Sequence, residues 1–170
     1  MHYIPCVGEH TVNAGNLSYT VPMPVGRRNQ MCKIEVHIKA KAYRIIFPKV
    51  QFHLVDSIGK KIKVVQEVAA SLGLQNVQAS HARAETIKDR YDFIVSRAVT
   101  QMPVFLTWVK GKSAKKNLHN LKNGVLYLKG GDLSEELAGL RYPVKEFPIA
   151  DFFKEEFFET KKVVYVQLVP

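Results

Sequence analysis

A carboxylate at the end of an apolar run is the first group in this chain whose placement could do chemistry. In F-H-L-V-D-S-I-G-K-K, Phe52 to Lys61, a run extended upstream by Val50 ends in Asp56, followed by a turn and a basic helix start. The pattern predicts a buried parallel strand whose carboxyl end delivers Asp56 to a surface crevice. Ser57 is then the expected helix cap, its hydroxyl accepting from unpaired N–H groups of the first turn. Ligands of open α/β sheets bind at the carboxyl ends of strands. An acid in that place commonly takes the two hydroxyls of a ribose, although an ordinary solvated aspartate at a strand–helix turn gives the same pattern. Two more strand ends carry polar groups: the H-A-R-A-E loop (His81–Glu85) and Ser96-Arg97. Singly, Arg97 could merely pair with an acid and Glu85 could be solvated before a helix. Jointly they describe a nucleotide-type site.

The second chemical feature is charge. The formal net charge is +10 and the sequence pI is near 9.6, which favours a polyanionic partner, nucleic acid first. Trp108 to Gly131 holds six lysines and no acidic residue, a composition suited to phosphate contacts. A solvated loop is the plainer reading for any one of them. Trp108 could stack on a base, but between Phe105 and Val109 it reads better as core. Phe152, Phe153, Phe157 and Phe158 likewise read as core or hairpin packing.

The elements that must position these groups follow from hydrophobic periodicity. Strands are predicted at Val50–Val55, Asn76–Ala79 (an edge, from its polar neighbours), Tyr91–Val95, Gly124–Leu128, Phe147–Ile149 and Lys162–Val169. Helices are predicted at Ile58–Leu72, Met102–Lys110 and Leu133–Leu140. Ile58, Ile62, Val65, Val68 and Ala69 share one face of the first, and Gly73 caps its end. Pro48 closes a short piece at Ile45–Phe47. Strands alternating with helices imply an α/β fold with a mostly parallel sheet, and the last two strands imply an antiparallel edge. Met1 to Tyr43 shows no helical period. Its one strand candidate, Lys33–Lys39, alternates Ile34, Val36 and Ile38 with polar residues, as suits one wet face rather than the covered centre of a parallel sheet.

With 170 residues, one domain with a real core is expected. There is no long apolar run for a membrane span and no signal-peptide order at the start, so a cytoplasmic protein is expected. Cys6 and Cys32 form no C-x-x-C pair, which argues against a metal site and, in the cytoplasm, against a disulfide.

Several motifs in order resemble a known family. V-D-S-I-G-K-K, the A-E of H-A-R-A-E, Y-D-F-I-V-S-R-A-V, L-K-G-G and F-K-E-E-F-F-E-T-K-K-V-V-Y-V look like bacterial ribosomal RNA small-subunit methyltransferase G, also called glucose-inhibited division protein B. The resemblance runs from about Ile45 to Val169. It implies a Rossmann-like class I sheet that binds S-adenosyl-L-methionine and methylates guanine N7 in the RNA of the small ribosomal subunit, as a monomer. By matching motifs, Asp56 and Ser57 would lie at the cofactor ribose, Ala84 and Glu85 at the adenine side, and Arg97 against the cofactor. Lys60, Lys61, Arg83 and Lys129 would face RNA or the site rim. The resemblance assigns no catalytic acid or base, and methylation at a lone pair removes no proton. Alignment of the reactants is the main demand.

The family's glycine-rich loop, D-x-G-x-G-x-G-F-P-G, belongs just before I-F-P. Here that place reads H-I-K-A-K-A-Y-R, and no glycine lies between Gly26 and Gly59. Glycines let backbone approach a cofactor closely, so weak cofactor binding and a sheet centre lacking its strand are expected. The division falls into an atypical segment, residues 1–44, and a methyltransferase-like α/β domain, residues 45–170. The change near Arg44 suggests an N-terminus substituted by a frameshift or misjoining. The alternatives are an RNA-binding remnant without catalysis and a methyltransferase for another substrate.

Overall fold

Three strands come from the part of the chain with the weakest pattern: β1 (Gly8–Ala14), β2 (Leu17–Met23) and β3 (Lys33–Val36). The computed structural model describes residues 8–14, 17–23, 33–36, 49–97 and 99–169. Cys6, Cys32, the Ile45–Pro48 piece and the stretch H-I-K-A-K-A-Y-R lie outside these residues. β1 and β2 pair antiparallel from Gly8↔Met23 to Ala14↔Leu17 as a separate two-stranded sheet. Gly15 and Asn16 separate them in sequence, residue types that two-residue hairpin loops use.

The remaining elements alternate as the periodicity requires. They are β4 (Gln51–Asp56), α1 (Gly59–Ser71), β5 (Val77–His81), a 3₁₀ turn at Ala84–Thr86, β6 (Phe93–Arg97) and α2 (Met102–Trp108). Then come β7 (Gly124–Gly130), α3 (Ser134–Ala138), β8 (Val144–Pro148), 3₁₀ turns at Ile149–Asp151 and Glu156–Phe158, and β9 (Lys161–Gln167). The seven-stranded sheet runs β5-β4-β3-β6-β7-β9-β8. β5, β4, β3, β6 and β7 pair parallel, and β9 runs antiparallel between β7 and β8. This is the expected Rossmann-like α/β sheet with its antiparallel edge.

β3 corrects two expectations. It is the sheet's centre, hydrogen-bonded to β4 on one side and β6 on the other, rather than a strand outside it. The sheet centre is therefore filled, by a strand that precedes residue 45. From β3 the chain adds β4 and β5 outward on one side, then crosses back to place β6 on the other. That reversal creates a switch point at the carboxyl end of β3.

Side chains alternate between two covered faces. Phe52, Leu54 and Phe93 pack with Val65 of α1 on one face. Ile94, Val125, Tyr127, Val164 and Val166 pack with Met102, Phe105 and Leu106 of α2 and with Leu133 on the other. Ile62 and Val65 are the buried residues of α1, two of the five predicted for its inner face, while Ile58 stays exposed. α1 ends in a Schellman motif: Gly73 takes φ 61°, its N–H bonds Ala70 O at 3.0 Å, and Leu74 N–H bonds Ala69 O at 2.9 Å.

Candidate nucleotide site at the switch point

The register sets the site's geometry before any side chain is considered. Val36 pairs with Leu54 on one flank and with Val95 on the other. Asp56 and Arg97 therefore end their strands two residues farther on, level with each other, with the end of β3 between them. Two strand spacings put their backbones about 10 Å apart. An acid and a guanidinium thus stand at the carboxyl end of the sheet, the place where open parallel sheets hold ligands.

Asp56 is shaped by the turn that follows it. Its Oδ1 accepts from Ile58 N–H at 2.7 Å, an Asx-type turn that fixes the carboxylate. Among the described residues Oδ2 meets only the half-exposed Lys61 ammonium, at 3.4 Å, a loose pair worth little. One oxygen therefore stays available for donors in the crevice. Ser57 does not cap α1: the helix starts a residue later, with Ile58 at the cap position and no side-chain cap bond. The capping expectation fails because the Asp56 carboxylate supplies the local acceptor instead. Ser57 itself is exposed, and its carbonyl oxygen lies 3.1 Å from His81 Nε2.

The H-A-R-A-E loop comes directly against this corner. Asp56 pairs with His81 across the sheet, and Ala82 N–H donates to Asp56 O at 3.1 Å. Beyond it the 3₁₀ turn buries Ala84 and exposes Arg83 and Glu85. Thr86 N–H and Oγ1 both donate to Arg83 O, at 3.0 and 2.8 Å. The structure thus brings Asp56, Ser57, Arg83, Ala84, Glu85 and Arg97 to one edge of the sheet. Lys60 and Lys61 stand beside them on the first turn of α1, both exposed. Arg97 is exposed and forms no ion pair among the described residues.

Lys129 departs from its expected role. Its ammonium donates to Thr100 O at 2.8 Å, pairs with Glu136 at 2.7 Å and sits 4.5 Å from the Tyr127 ring centroid. Its side chain is only 14% exposed, so these inward bonds occupy the charge that was expected to meet RNA. The same cluster pins the segment after Arg97. The Tyr127 hydroxyl accepts from Val99 and Thr100 N–H at 3.0 and 2.9 Å and donates to Thr100 O at 2.8 Å. Glu136 accepts from Met102 N–H. Nothing local marks Tyr127 or Glu136 as anchors of this segment, because the backbone groups they bond lie 27 to 34 residues away.

Two aromatic expectations divide. Trp108 is partly buried and meets Phe105 edge-on at 6.3 Å, as core packing requires. Phe152, Phe153 and Phe157 are 52%, 45% and 63% exposed, so of core or hairpin packing the core half fails for them. They belong to the exposed connection between β8 and β9, where Phe153 and Phe157 lean on Phe158 at 5.1 and 5.2 Å.

On the strand that carries Asp56, His53 bonds Tyr91 OH through Nδ1 at 2.5 Å and Ser80 Oγ through Nε2 at 2.8 Å. Burial lowers its pKa from the ordinary 6.5, and Asp89 only partly opposes this. The ring is therefore a neutral strut linking β4, β5 and the entry to β6.

Residues 43–151 match the family described as rRNA small subunit methyltransferase G. A Christiangramia forsetii protein named ribosomal RNA small subunit methyltransferase G is 60% identical over 124 residues, 73% of this chain and 58% of that protein. A Cytophaga hutchinsonii protein of the same name is 55% identical over 122 residues, 72% of this chain and 59% of that protein. The chain thus spans less than two thirds of the length of these relatives. Among solved structures, a SAM-dependent methyltransferase from Aquifex aeolicus superposes with a TM-score of 0.58 at 14% identity. That match covers 79% of this chain and 80% of the other, and it shows a shared fold.

Proposed function

We propose that this chain, which belongs to the rRNA small subunit methyltransferase G family, holds S-adenosylmethionine at the switch point and methylates guanine N7 in small-subunit ribosomal RNA. The observation that carries this reading is the level placement of Asp56 and Arg97 on either side of β3.

The adenosine half of the cofactor fits the residues present. Asp56 Oδ2 is held only loosely, by the half-exposed Lys61 ammonium at 3.4 Å, which suits it to accept from ribose hydroxyls. Ala84, buried and small beside it, lines an adenine-side turn with Glu85 at its exposed rim. Arg97 supplies a cation for the carboxylate end of the ligand. When bound, the cofactor supplies an electrophilic methyl group on a sulfonium centre. Guanine N7 already carries a lone pair, so the chain needs no general base. Its task is to align the two partners and exclude water. Lys60, Lys61 and Arg83, all exposed near the crevice, support phosphate contacts at its rim. On this reading the chain works in the cytoplasm as a monomer.

One observation favours a second reading. The sequence has no glycine between Gly26 and Gly59, so the backbone cradle for the methionine half is missing from its usual place. The chain is then an RNA-binding remnant without catalysis. Calorimetric titration with S-adenosylmethionine, followed by methyl transfer to small ribosomal subunits, decides between them. Saturable binding lost in Asp56→Ala, with N7-methylguanine formed, supports the enzyme. RNA binding by a folded chain that takes no cofactor establishes the remnant.

A further inference from the structure

Lys112 sits in the lysine-rich stretch whose composition suits phosphate contacts and whose single lysines read as solvated, yet it is only 8% exposed. Its ammonium reaches across 27 residues to donate to Glu85 O at 3.2 Å, and it also donates to Ile87 O. Both carbonyls belong to the turn that borders the crevice. We propose that Lys112 is a positioning residue for the adenine-side turn, and that through this turn it sets affinity for the adenosine half of the ligand. The proposal rests on the cofactor reading given above.

The physical case begins with the turn's own bonds. Residues 83–87 are held internally by Thr86 to Arg83 O and by Ile87 N–H to Ala84 O at 3.3 Å. These bonds close the turn but leave the Glu85 and Ile87 carbonyls directed away from it. An ammonium carries three donors and no acceptor, and its bonds to carbonyls are charge-assisted. A buried charge has to be hydrogen-bonded, so Lys112 and the turn satisfy each other. The clamp is itself rigid, because Lys112 O accepts from Tyr91 N–H at 2.8 Å and Lys112 N–H donates to Val109 O at 3.1 Å. Ala84 and Glu85 are thereby fixed relative to β6, the strand that carries Arg97. No carbonyl on this turn has to move for the crevice to keep its shape.

The test compares Lys112→Met, which keeps the apolar stem, with Lys112→Arg and with Tyr165→Phe. Tyr165 OH donates to Lys122 O at 2.7 Å, so its loss destabilises the fold without touching the turn. The probe is S-adenosylhomocysteine, titrated calorimetrically, with melting temperature and methyl transfer measured alongside. Lys112→Met is expected to weaken binding about tenfold, as fits two part-buried acceptors losing a charged donor. The KM for S-adenosylmethionine should rise alike and kcat at saturation stay within about twofold. Tyr165→Phe should melt earlier with unchanged affinity, and Lys112→Arg should recover part of the lost affinity. Unchanged affinity in Lys112→Met, or equal losses in Lys112→Met and Tyr165→Phe, overturns the proposal. If the wild-type chain takes no probe, the cofactor reading fails and the affinity part falls with it. Amide exchange at Thr86 and Ile87 then decides the positioning: faster exchange in Lys112→Met than in Tyr165→Phe supports it, and equal rates overturn it.

Discussion

Asp56 and Arg97 stand level on neighbouring flanks of one strand, each two residues past the partner of Val36. Their backbones are about 10 Å apart, and among the described residues no ion pair joins them, Asp56 meeting Lys61 instead. Each stays free to meet a different end of one ligand.

The first prediction separates the two jobs of Asp56. Asp56→Ala removes both the acceptor for Ile58 N–H and the crevice oxygen. It should weaken S-adenosylmethionine binding at least about tenfold and lower stability by about 1 kcal/mol. Asp56→Asn keeps a turn acceptor and should hold stability near wild type while losing most of the affinity. Calorimetry and urea unfolding on the same samples check this, and equal affinity in all three proteins would remove Asp56 from the site.

Lysines on α1 and β7 should behave differently toward RNA. Lys60→Ala and Lys61→Ala should each reduce the salt slope of RNA binding by about 1. Lys129→Met should leave that slope alone and destabilise the chain by about 1–3 kcal/mol, because Glu136 keeps its partly buried charge without a cation. Filter binding over a salt series, paired with urea melts, reads both effects.

Gly124 should not tolerate a methyl group. A Cβ there would lie 2.2 Å from Val166 O and 3.0 Å from the Tyr165 ring, and the carbonyl belongs to the β7–β9 ladder. Gly124→Ala should cost about 3 kcal/mol, at the upper end for overpacking. A urea midpoint within error of wild type would show that the ladder shifts freely.

Stability should decline in mild acid. Burial lowers the pKa of His53 and of His119 below the ordinary 6.5, with Asp89 and Asp92 opposing in part. Both imidazoles therefore bind protons more readily in the unfolded chain. Their contribution is complete above 6.5 and is lost as pH falls below it toward the folded values. The urea midpoint should drop between about pH 7.5 and about pH 5.5. His119 packs against Phe93 at 5.5 Å and its buried ring nitrogens lack hydrogen-bond partners among the described residues. His119→Phe should flatten the profile.

Where local pattern and burial agree, the sequence was readable. Phe52–Val55, Tyr91–Val95 and Gly124–Leu128 are apolar runs, and each lies in or beside an inner strand of the sheet. The strand-end positions of Asp56 and Arg97 were legible for the same reason, since they follow two of those runs. β3 was misplaced because alternation suggests a wet face, whereas its position is set by pairing with two distant strands. The β1–β2 hairpin was missed among scattered glycines and prolines, although A-G-N-L between alternating residues was the available signal. Lys112 and Lys129 were beyond reach: a lysine's burial depends on which carbonyl or carboxylate the finished fold brings opposite it. The phenylalanines of the β8–β9 connection pack on one another rather than in the core, because apolar type alone does not guarantee burial.

The place of β9 also constrains the order in which this sheet can be finished. It is made after every other described strand, yet it is inserted between β7 and β8 rather than added at an edge. During synthesis β8 therefore emerges with no strand to join, and β7 presents a bare hydrogen-bonding edge until Lys161–Gln167 arrives. Val164 and Val166 complete the core on the α2 face, so that half stays open until β9 is made. Such a chain is most exposed to mispairing while nascent, and deleting a few residues of β9 should cost it an entire face, not just an edge.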